Sequence, residues 1–235
     1  MAFGINLMKS LYWHYRRPVF EAFGSDRYSH LAAFDLDHKL KQYLDFDNGF
    51  FIEVGGNDGL EQSNSYWFER FRGWRGLLVE ALPQKARLCA RNRRRSQVVN
   101  AALVADDSIK SIRLKVANLM TYIPGQRTPE QDAAHLGAAI SAYGVTEVPE
   151  IEVPATTLAA LLDQRGGGPA DFFSLDVEGY EVPVLQGMDP ERHRPRLILV
   201  ETDNLDGVLA ALNGHYRLID QLSFHDYLLQ TESPR

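Results

Sequence analysis

Four mostly apolar runs of this sequence each carry a carboxylate at or next to their end: Glu53, Glu80, Asp176 and Glu201. Short apolar runs predict buried strands, and the carboxyl ends of parallel strands meet along one edge of a sheet. Carboxylates gathered at such an edge can accept hydrogen bonds from a ligand, serve as general bases or bind a hard divalent cation. The sequence therefore predicts a ligand site lined with carboxylates at that edge.

The first run leads directly into the glycine-rich segment Gly55-Gly56-Asn57-Asp58-Gly59. Glycine lets the backbone turn sharply and approach a ligand closely. The segment does not fit the dinucleotide fingerprint G-x-G-x-x-G, and no Walker lysine follows it, which weakens the cases for NAD and for an ATP phosphate cradle. By itself the segment is equally compatible with a tight turn between a strand and a helix.

Glu80 ends the next predicted strand. An acidic side chain at that point can accept hydrogen bonds from both hydroxyls of a ribose. The alternative is a solvated carboxylate at a strand end. Together, the glycine-rich segment and Glu80 indicate an adenosine-type ligand that is held without a pyrophosphate cradle.

Further carboxylates follow the later two runs. Asp176 and Glu178 are the predicted catalytic residues, and Asp176 and Glu201 are the predicted ligands of a divalent cation such as Mg²⁺. Asp203 is also suited to cap the helix after it. His225 is expected to have a structural role.

Strands that alternate with helices predict an α/β fold, with a Rossmann-like, doubly wound, mostly parallel sheet that helices cover on both faces. The predicted strands are Phe50–Val54, Gly76–Glu80, Gln97–Leu103, Asp171–Val177 and Arg196–Thr202, followed by an antiparallel pair, Tyr216–Leu222 and Tyr227–Gln230. The predicted helices are Ser63–Phe71, Pro83–Asn92, Thr157–Gln164, Glu181–Gly187 and Leu205–Leu212.

Two segments depart from this alternation. Residues 1–45 are amphipathic and aromatic, and they predict an N-terminal helical extension to a domain that spans residues 46–235. Residues 117–149 have little periodicity and are expected to form a mobile lid or insertion, because long irregular connections inside a domain are usually functional or disordered. Ile109–Val116 alternates in polarity and predicts an exposed or edge strand, and the glycines at 166–168 predict a helix end.

The composition excludes several classes of protein. Hydrophobic residues make up 45% of the 235 residues and charged residues 24%, which are ordinary globular values, and the net charge of −6 argues against a nucleic-acid partner. The one cysteine, Cys89, excludes an intramolecular disulfide and fits a cytoplasmic protein. No apolar run is long enough to predict an integral membrane segment. A homodimer contact is expected on the apolar face of the N-terminal segment. A solvated helix end is expected at the basic run, which comprises Arg87, Arg91, Arg93, Arg94 and Arg95.

The same residues carry a family resemblance. The sequence resembles the FkbM-type methyltransferases in two ordered motifs. The first comprises Phe51-Ile52-Glu53-Val54-Gly55-Gly56-Asn57-Asp58-Gly59, Ser63-Asn64-Ser65-Tyr66 and Gly73-Trp74-Arg75-Gly76 with Val79-Glu80. The second is Asp171-Phe172-Phe173-Ser174-Leu175-Asp176-Val177-Glu178-Gly179-Tyr180-Glu181. Two departures are Ala81, where proline is expected, and Gly56, where alanine is commoner.

The resemblance implies a fold of the class I methyltransferase type and methyl transfer from S-adenosylmethionine to a hydroxyl on a sugar, glycan or natural product. It implies that Glu80 binds the cofactor's ribose, that Asp106 or Asp107 reaches its adenine, and that Asp176 and Glu178 face the reacting centre. The residues implied to hold the methionine part of the cofactor are Glu53, Gly55, Asn57, Asp58 and Gly59. An NAD-type oxidoreductase and a non-catalytic binding protein on the same fold stay as alternatives.

Overall fold

A computed structural model describes residues 15–165 and 169–232 of the chain. Its strands are β1 (Phe50–Val54), β2 (Arg75–Glu80), β3 (Gln97–Asn100), β4 (Ala102–Leu103), β5 (Ser111–Lys115), β6 (Glu150–Thr156), β7 (Phe172–Leu175), β8 (Leu197–Glu201), β9 (Tyr216–Gln221) and β10 (Asp226–Thr231). Its helices are α1 (residues 15–22), α2 (Leu36–Leu40), α3 (Tyr66–Phe71), α4 (Pro83–Asn92), α5 (Pro129–Tyr143), α6 (Leu158–Gln164), α7 (Glu181–Gln186) and α8 (Leu205–Ala211).

Seven strands form the main sheet, in the order β3-β2-β1-β7-β8-β10-β9. The first five of these are parallel to their neighbours, and β10 runs antiparallel to both β8 and β9. The strand order reverses between β1 and β7, which is where doubly wound sheets open a crevice at the carboxyl ends of their strands. The predicted α/β fold, with its mostly parallel sheet and terminal antiparallel pair, is thus confirmed.

Both faces of the sheet are buried, which explains why its strands are nearly continuous apolar runs. Successive side chains of a strand point to opposite faces. Ile52 and Val54 therefore pack into one core cluster, with residues of α6, α7 and α8. Phe51 packs into a second cluster, with residues of α2, α3 and α4.

The predicted strand Gln97–Leu103 is wrong as a single element. It is interrupted at Ala101, so β3 pairs with β2, while β4 pairs with β6 in a separate sheet of order β4-β6-β5. Within this small sheet β5 is an outer strand, antiparallel to β6, as the alternation in Ile109–Val116 predicted. The three glycines at 166–168 lie outside the described residues.

The segment 117–149 is not without regular structure, because it contains α5. A capping box begins this helix: the Thr128 hydroxyl accepts from the Gln131 backbone N–H, and the Gln131 side chain accepts from the Thr128 N–H. Gly144, with φ 64°, ends it. Most of α5 is exposed and rich in alanine, so its sequence lacks the apolar stripe by which surface helices are usually predicted.

The described part of the N-terminal segment packs on the sheet domain. Glu21 of α1 is buried and accepts hydrogen bonds from the hydroxyls of Ser29 (2.8 Å) and Tyr66 (2.7 Å) and from Arg70 Nε (3.0 Å). The carboxylate thus fastens α1 to α3. Within residues 15–165 and 169–232, no helix combines the length and apolar character that are needed to cross a bilayer.

Arg93 is not the solvated residue that the basic run predicted. Its side chain is fully buried beyond the end of α4, where it lies between two carboxylates, with Nε 3.0 Å from Glu69 and Nη1 3.4 Å from Glu53. It also donates to the hydroxyls of Ser63 (2.9 Å) and Ser65 (2.7 Å). The guanidinium therefore joins the end of β1, the segment before α3, α3 itself and the end of α4.

Replacing Arg93 with methionine should lower the free energy of unfolding by about 3–5 kcal/mol, since removing one partner of a buried ion pair leaves the other charge uncompensated. Urea denaturation followed by circular dichroism measures this loss. The matched control is Arg94→Met, because Arg94 is the exposed neighbour in the same basic run. Equal stability of the two variants would contradict the structural role of Arg93.

Candidate active site

A cleft of about 670 Å³ opens at the carboxyl ends of β1, β2, β7 and β8. Its floor is formed by the residues that follow those strands, and its cover by the segment 118–123 and by α5. The predicted site residues that line it are Glu53, Gly55, Asn57, Glu80, Asp176, Glu178 and Glu201. Asp58, Gly59 and Asp106 do not line it.

The glycine-rich segment forms the turn at the end of β1. A Cβ atom at Gly55, which has φ 86°, would lie 1.9 Å from the Asp176 carbonyl oxygen, so only glycine fits between β1 and β7. Asp58 Oδ1 accepts the backbone N–H groups of Leu60 and Glu61 and thereby shapes the turn. Gly59 packs against α4 on the side away from the cleft. These two residues support the turn from behind.

Glu53 affects the cleft indirectly, through the residues that donate hydrogen bonds to its carboxylate. Its carboxylate is 5% exposed and accepts from the Ser63 hydroxyl (3.0 Å), the Asn64 backbone N–H (2.9 Å) and the Ser65 hydroxyl, and it lies beside Arg93. With about four lone pairs so engaged, the carboxylate has little capacity left for a ligand. Its effect on the cleft is to hold Asn64 at the wall.

Asn64 is a site residue that the sequence reasoning did not single out. Its amide nitrogen donates to the Ser174 hydroxyl (3.0 Å), while its buried Oδ1 has no hydrogen-bond partner among the described residues. Since buried acceptors are nearly always paired, this oxygen is suited to a donor that belongs to a ligand. The signal in the sequence was the motif Ser63-Asn64-Ser65, which the resemblance quoted but to which no role was given.

Glu80 lies where the ribose-binding residue was expected. Its two carboxylate oxygens accept the backbone N–H groups of Asn57 (2.8 Å) and Leu82 (2.7 Å). Burial raises its pKa to about 6, against the lowering effect of these hydrogen bonds. Two of the roughly four lone pairs are used, so two remain for a pair of hydroxyl donors in the cleft.

The structure does not bring Asp106 into the cleft. This side chain is exposed and accepts the backbone N–H of Ser108 at 2.6 Å. The neighbouring Asp107 accepts the Thr157 hydroxyl at 2.8 Å, beside α6. The wall on this side of the cleft is apolar instead, with Leu82, Ala101, Ala102 and Leu103.

Several carboxylates lie together at the opposite end of the cleft. Burial and mutual repulsion raise their pKa values, so they stay protonated up to a higher pH than ordinary carboxyl groups. Burial, and then Glu201, raise the pKa of Asp176 well above its usual value. Burial, and then Asp176, raise the pKa of Glu178 to about 8. Burial, and then Asp226, raise the pKa of Glu201 to about 8. These groups can therefore exchange protons near neutral pH.

His225 lines this end of the cleft. Its Nδ1 lies 3.5 Å from Glu201 and its Nε2 lies 3.7 Å from Asp226, and within the part of the chain that the structure describes the buried Nε2 makes no hydrogen bond. Glu201, His225 and Asp226 are close enough together to hold a metal ion. Asp176, which was predicted to share a cation with Glu201, is not in this group.

Residues in the cover of the cleft contact Glu178 directly. Arg127 donates to the carbonyl oxygen of Glu178, whose backbone has φ 54°. His135 of α5 lies 3.8 Å from the Glu178 carboxylate and bonds the Met120 carbonyl oxygen at 2.9 Å. Burial lowers the pKa of His135, which favours its neutral form. The segment predicted as a lid thus forms one wall of the cleft.

Comparison with known proteins identifies the family. Residues 53–229 match the family described as the methyltransferase FkbM domain, which is more than half of the chain. The chain belongs to the FkbM methyltransferase family. Together with the sheet order, this confirms the expected class I methyltransferase fold, and it favours a methyltransferase over the NAD-type oxidoreductase that the sequence had left open.

Solved structures with similar chain paths share little sequence with this FkbM methyltransferase. A TehB-like SAM-dependent methyltransferase from Corynebacterium glutamicum is 9% identical, with a TM-score of 0.44 over 97% of this chain and 100% of that one. An O-methyltransferase from Bacillus cereus in complex with SAH is 10% identical, with a TM-score of 0.44 over 84% and 79%. M. capricolum TrmK in complex with S-adenosylhomocysteine is 10% identical, with a TM-score of 0.44 over 86% and 68%. No curated protein sequence matches the chain.

The residues in the cleft of the FkbM methyltransferase fit S-adenosylmethionine. The unpaired Asn64 Oδ1 is an acceptor for an ammonium group, and Glu80 has free lone pairs for a diol. Gly55 lines the cleft between them, where any side chain would clash with the Asp176 carbonyl oxygen. The polar groups and the apolar wall thus stand in the order that an amino acid, a sugar and a base require.

Glu80→Ala should weaken the binding of S-adenosylhomocysteine by about 30- to 1,000-fold, because two hydrogen bonds to a charged acceptor contribute about 2–4 kcal/mol together. Isothermal titration of the purified protein measures this change. Asp106→Ala is the matched control and should change the affinity less than about twofold, since Asp106 lies outside the cleft. A loss below about threefold for Glu80→Ala would remove Glu80 from the site, and a large loss for Asp106→Ala would restore the predicted adenine contact.

The protein should lose thermal stability as the pH rises. Glu178 and Glu201 have pKa values of about 8 when folded, against an ordinary value of 4.5. Their contribution to stability is therefore complete below about pH 4.5 and is lost as the pH rises through 8. Melting temperatures between pH 5.5 and 9 should fall more steeply for the parent protein than for Glu178→Gln or Glu201→Gln. The exposed control Glu150→Gln should keep the parent's slope, and equal slopes for all four proteins would contradict the raised pKa values.

Proposed function

We propose that this FkbM methyltransferase transfers the methyl group of S-adenosylmethionine to a hydroxyl oxygen of a sugar, glycan or other natural product. The observation that carries this proposal is the group of carboxylates with raised pKa values at one end of the cleft, across from the polar groups that suit the cofactor. A hydroxyl acceptor must lose its proton during transfer, and a carboxylate with a raised pKa is a stronger base than an ordinary one.

The cofactor is proposed to lie along the ends of β1 and β2. Asn64 Oδ1 would accept from its ammonium group, Glu80 would accept from its ribose hydroxyls, and Gly55 and Asn57 would border the chain between them. Glu53, Asp58 and Gly59 support these groups through the contacts described above. Asp176 lines the same cleft as these groups.

Asp176 is proposed as the general base and Glu178 as its partner in the catalytic pair. When bound, S-adenosylmethionine supplies a methyl group that its sulfonium has already activated. Asp176 would take the proton that the acceptor hydroxyl releases as it receives this methyl group. Much of the rate then comes from holding the acceptor in line, which the walls of the cleft provide.

The same side chains offer a second route for the proton. A divalent cation such as Mg²⁺, held by Asp176 and Glu201, would lower the pKa of a bound acceptor hydroxyl. The spacing of Glu201, His225 and Asp226 supports a cation at this end of the cleft, with Glu201 common to both sets. Turnover after dialysis against EDTA separates the routes: a loss that Mg²⁺ restores favours the cation, and unchanged turnover favours the carboxylate base.

The proposal also covers the location of the enzyme, its oligomeric state, its lid and its acceptor. The buried free thiol of Cys89 supports action in the cytoplasm. Tyr15, Val19 and Phe23 are exposed at four-residue spacing along and just beyond α1, which supports the expected homodimer contact. The segment 117–149 would serve as the lid of a domain that spans residues 46–235, and the acceptor would be a small molecule or glycan.

Asp176→Asn should abolish methyl transfer while leaving the affinity for S-adenosylhomocysteine within about threefold, because the base or cation ligand is lost and the cofactor contacts are kept. Release of S-adenosylhomocysteine during turnover of glycosides and hydroxylated natural products measures the first effect. Isothermal titration measures the second. Retained turnover would discard Asp176 as base and as cation ligand.

If the parent protein bound S-adenosylhomocysteine but transferred methyl to none of these acceptors, the non-catalytic alternative would gain support. Titration with NAD alongside distinguishes the cofactors. An absence of binding to S-adenosylhomocysteine would contradict the proposal at its first step.

A further inference from the structure

Two exposed phenylalanines stand at the mouth of the cleft. Phe34 is 51% exposed and Phe224 is 71% exposed, and their rings meet edge to face with centroids 5.4 Å apart. Phe224 also stacks on His225, with centroids 3.7 Å apart and planes 19° apart. Phe34 and His225 line the cleft, and Phe224 extends their surface past its rim. Three rings thus form one continuous aromatic surface that leads into the cleft.

The backbone holds Phe34 there at a cost. Phe34 has φ 51° and Asp35 has φ 57°, so two consecutive non-glycine residues are left-handed just before α2. A bulky residue in this region is a genuine outlier, and such strain collects where a function requires a fixed side chain. The anchors are Leu36 and Leu40, which are buried in the core directly after the strained pair. The fold therefore maintains an exposed aromatic ring against both its backbone preference and the hydrophobic effect.

The chemistry beside these rings is that of hydrogen-bond acceptors. His225 Nδ1 lies 3.5 Å from Glu201, which links the aromatic surface to the carboxylate end of the cleft. Glu178 and Asp203 line the same end. Carboxyl groups accept hydrogen bonds from hydroxyl groups in both their ionised and their protonated forms. A ligand that suits this corner has an apolar face for the rings and hydroxyl groups at its edge for the carboxylates.

We infer that Phe34 and Phe224 are specificity-determining residues that hold the acceptor, and that the acceptor presents a saturated, polyhydroxylated ring, as a glycoside does. The C–H face of such a ring packs on the phenyl rings, and its hydroxyl groups reach Glu201 and Glu178. This inference rests on the proposed function and narrows its acceptor to one chemical class. A flat phenol has no ring of hydroxyl donors with which to satisfy the carboxylates, so it fits the corner less well.

The test measures methyl transfer to methyl hexopyranosides, with methyl glucoside, mannoside and rhamnoside as probes and with phenol and catechol as the aromatic comparison. Phe34→Ala and Phe224→Ala should each raise the KM for the glycoside that the parent turns over by about tenfold or more, because a buried aromatic contact contributes about that factor. The affinity for S-adenosylhomocysteine should stay within about twofold. Phe23→Ala is the matched control: Phe23 is an 86% exposed phenylalanine that does not line the cleft, and its loss should leave the KM unchanged.

A further variant, Phe34→Gly, separates a binding role from a structural one. Glycine adopts positive φ without strain, so this variant should keep or raise the melting temperature while it loses acceptor affinity as Phe34→Ala does. A lowered melting temperature with an unchanged KM would assign Phe34 to the fold and overturn the inference.

The remaining outcomes separate this inference from the proposed function. Transfer to the phenols but to none of the glycosides would overturn the saturated-ring assignment while supporting the methyltransferase. An absence of transfer to every probe, with S-adenosylhomocysteine still bound, would also overturn the saturated-ring assignment. Failure to bind S-adenosylhomocysteine would instead overturn the proposed function itself.

Discussion

The buried ion network around Arg93 is the constraint on which the cleft depends. One guanidinium lies between Glu53 and Glu69, and it also donates to Ser63 and Ser65. These contacts join β1, the segment before α3 and the end of α4. Because the desolvated charges are stable only when paired and fully hydrogen-bonded, the network specifies one arrangement of these elements. The glycine-rich turn and Asn64 are positioned as a consequence.

From that arrangement, the cleft acquires two chemically different ends. One end, at β1 and β2, has acceptors that are separately placed, with Asn64 held by Glu53 of β1 and Glu80 held by two backbone N–H groups. The end near β8 has carboxylates so close together that they cannot all ionise at neutral pH. A cofactor with fixed donors suits the first end, and proton transfer suits the second. Burial raises the pKa of Glu80 at the first end as well, and the second end adds repulsion between neighbouring carboxylates.

Several non-glycine residues near the cleft have left-handed backbone conformations. At these residues the structure loses some stability, and the side chains are held in fixed positions. Asn57 and Glu178 follow β1 and β7, and Phe34 stands at the mouth. Each has a positive φ without being glycine, which costs free energy. Position 55 admits only glycine, because any side chain there would clash with the Asp176 carbonyl oxygen. Backbone geometry thus contributes to the shape of the site together with the side-chain network around Arg93.

Local pattern was enough to predict much of this molecule from its sequence. The bounds of β1 and α4 were predicted to the residue, since an apolar run before glycines and a proline in the first turn are local signals. The family motifs likewise lie within short stretches. They led to Glu80 and Asp176 as cleft residues because strand order in such sheets brings the carboxyl ends together.

What only the tertiary structure decided were the properties that depend on partners distant in sequence. The break after β3 follows from pairing with β6, more than fifty residues later, and the burial of Arg93 follows from carboxylates on other elements. The exposure of Asp106, the unpaired oxygen of Asn64 and the position of His225 beside Glu201 are of the same kind. Periodicity describes which side of its own element a residue occupies. It does not describe which residues of other elements contact that residue, and the chemistry of this cleft depends on such contacts.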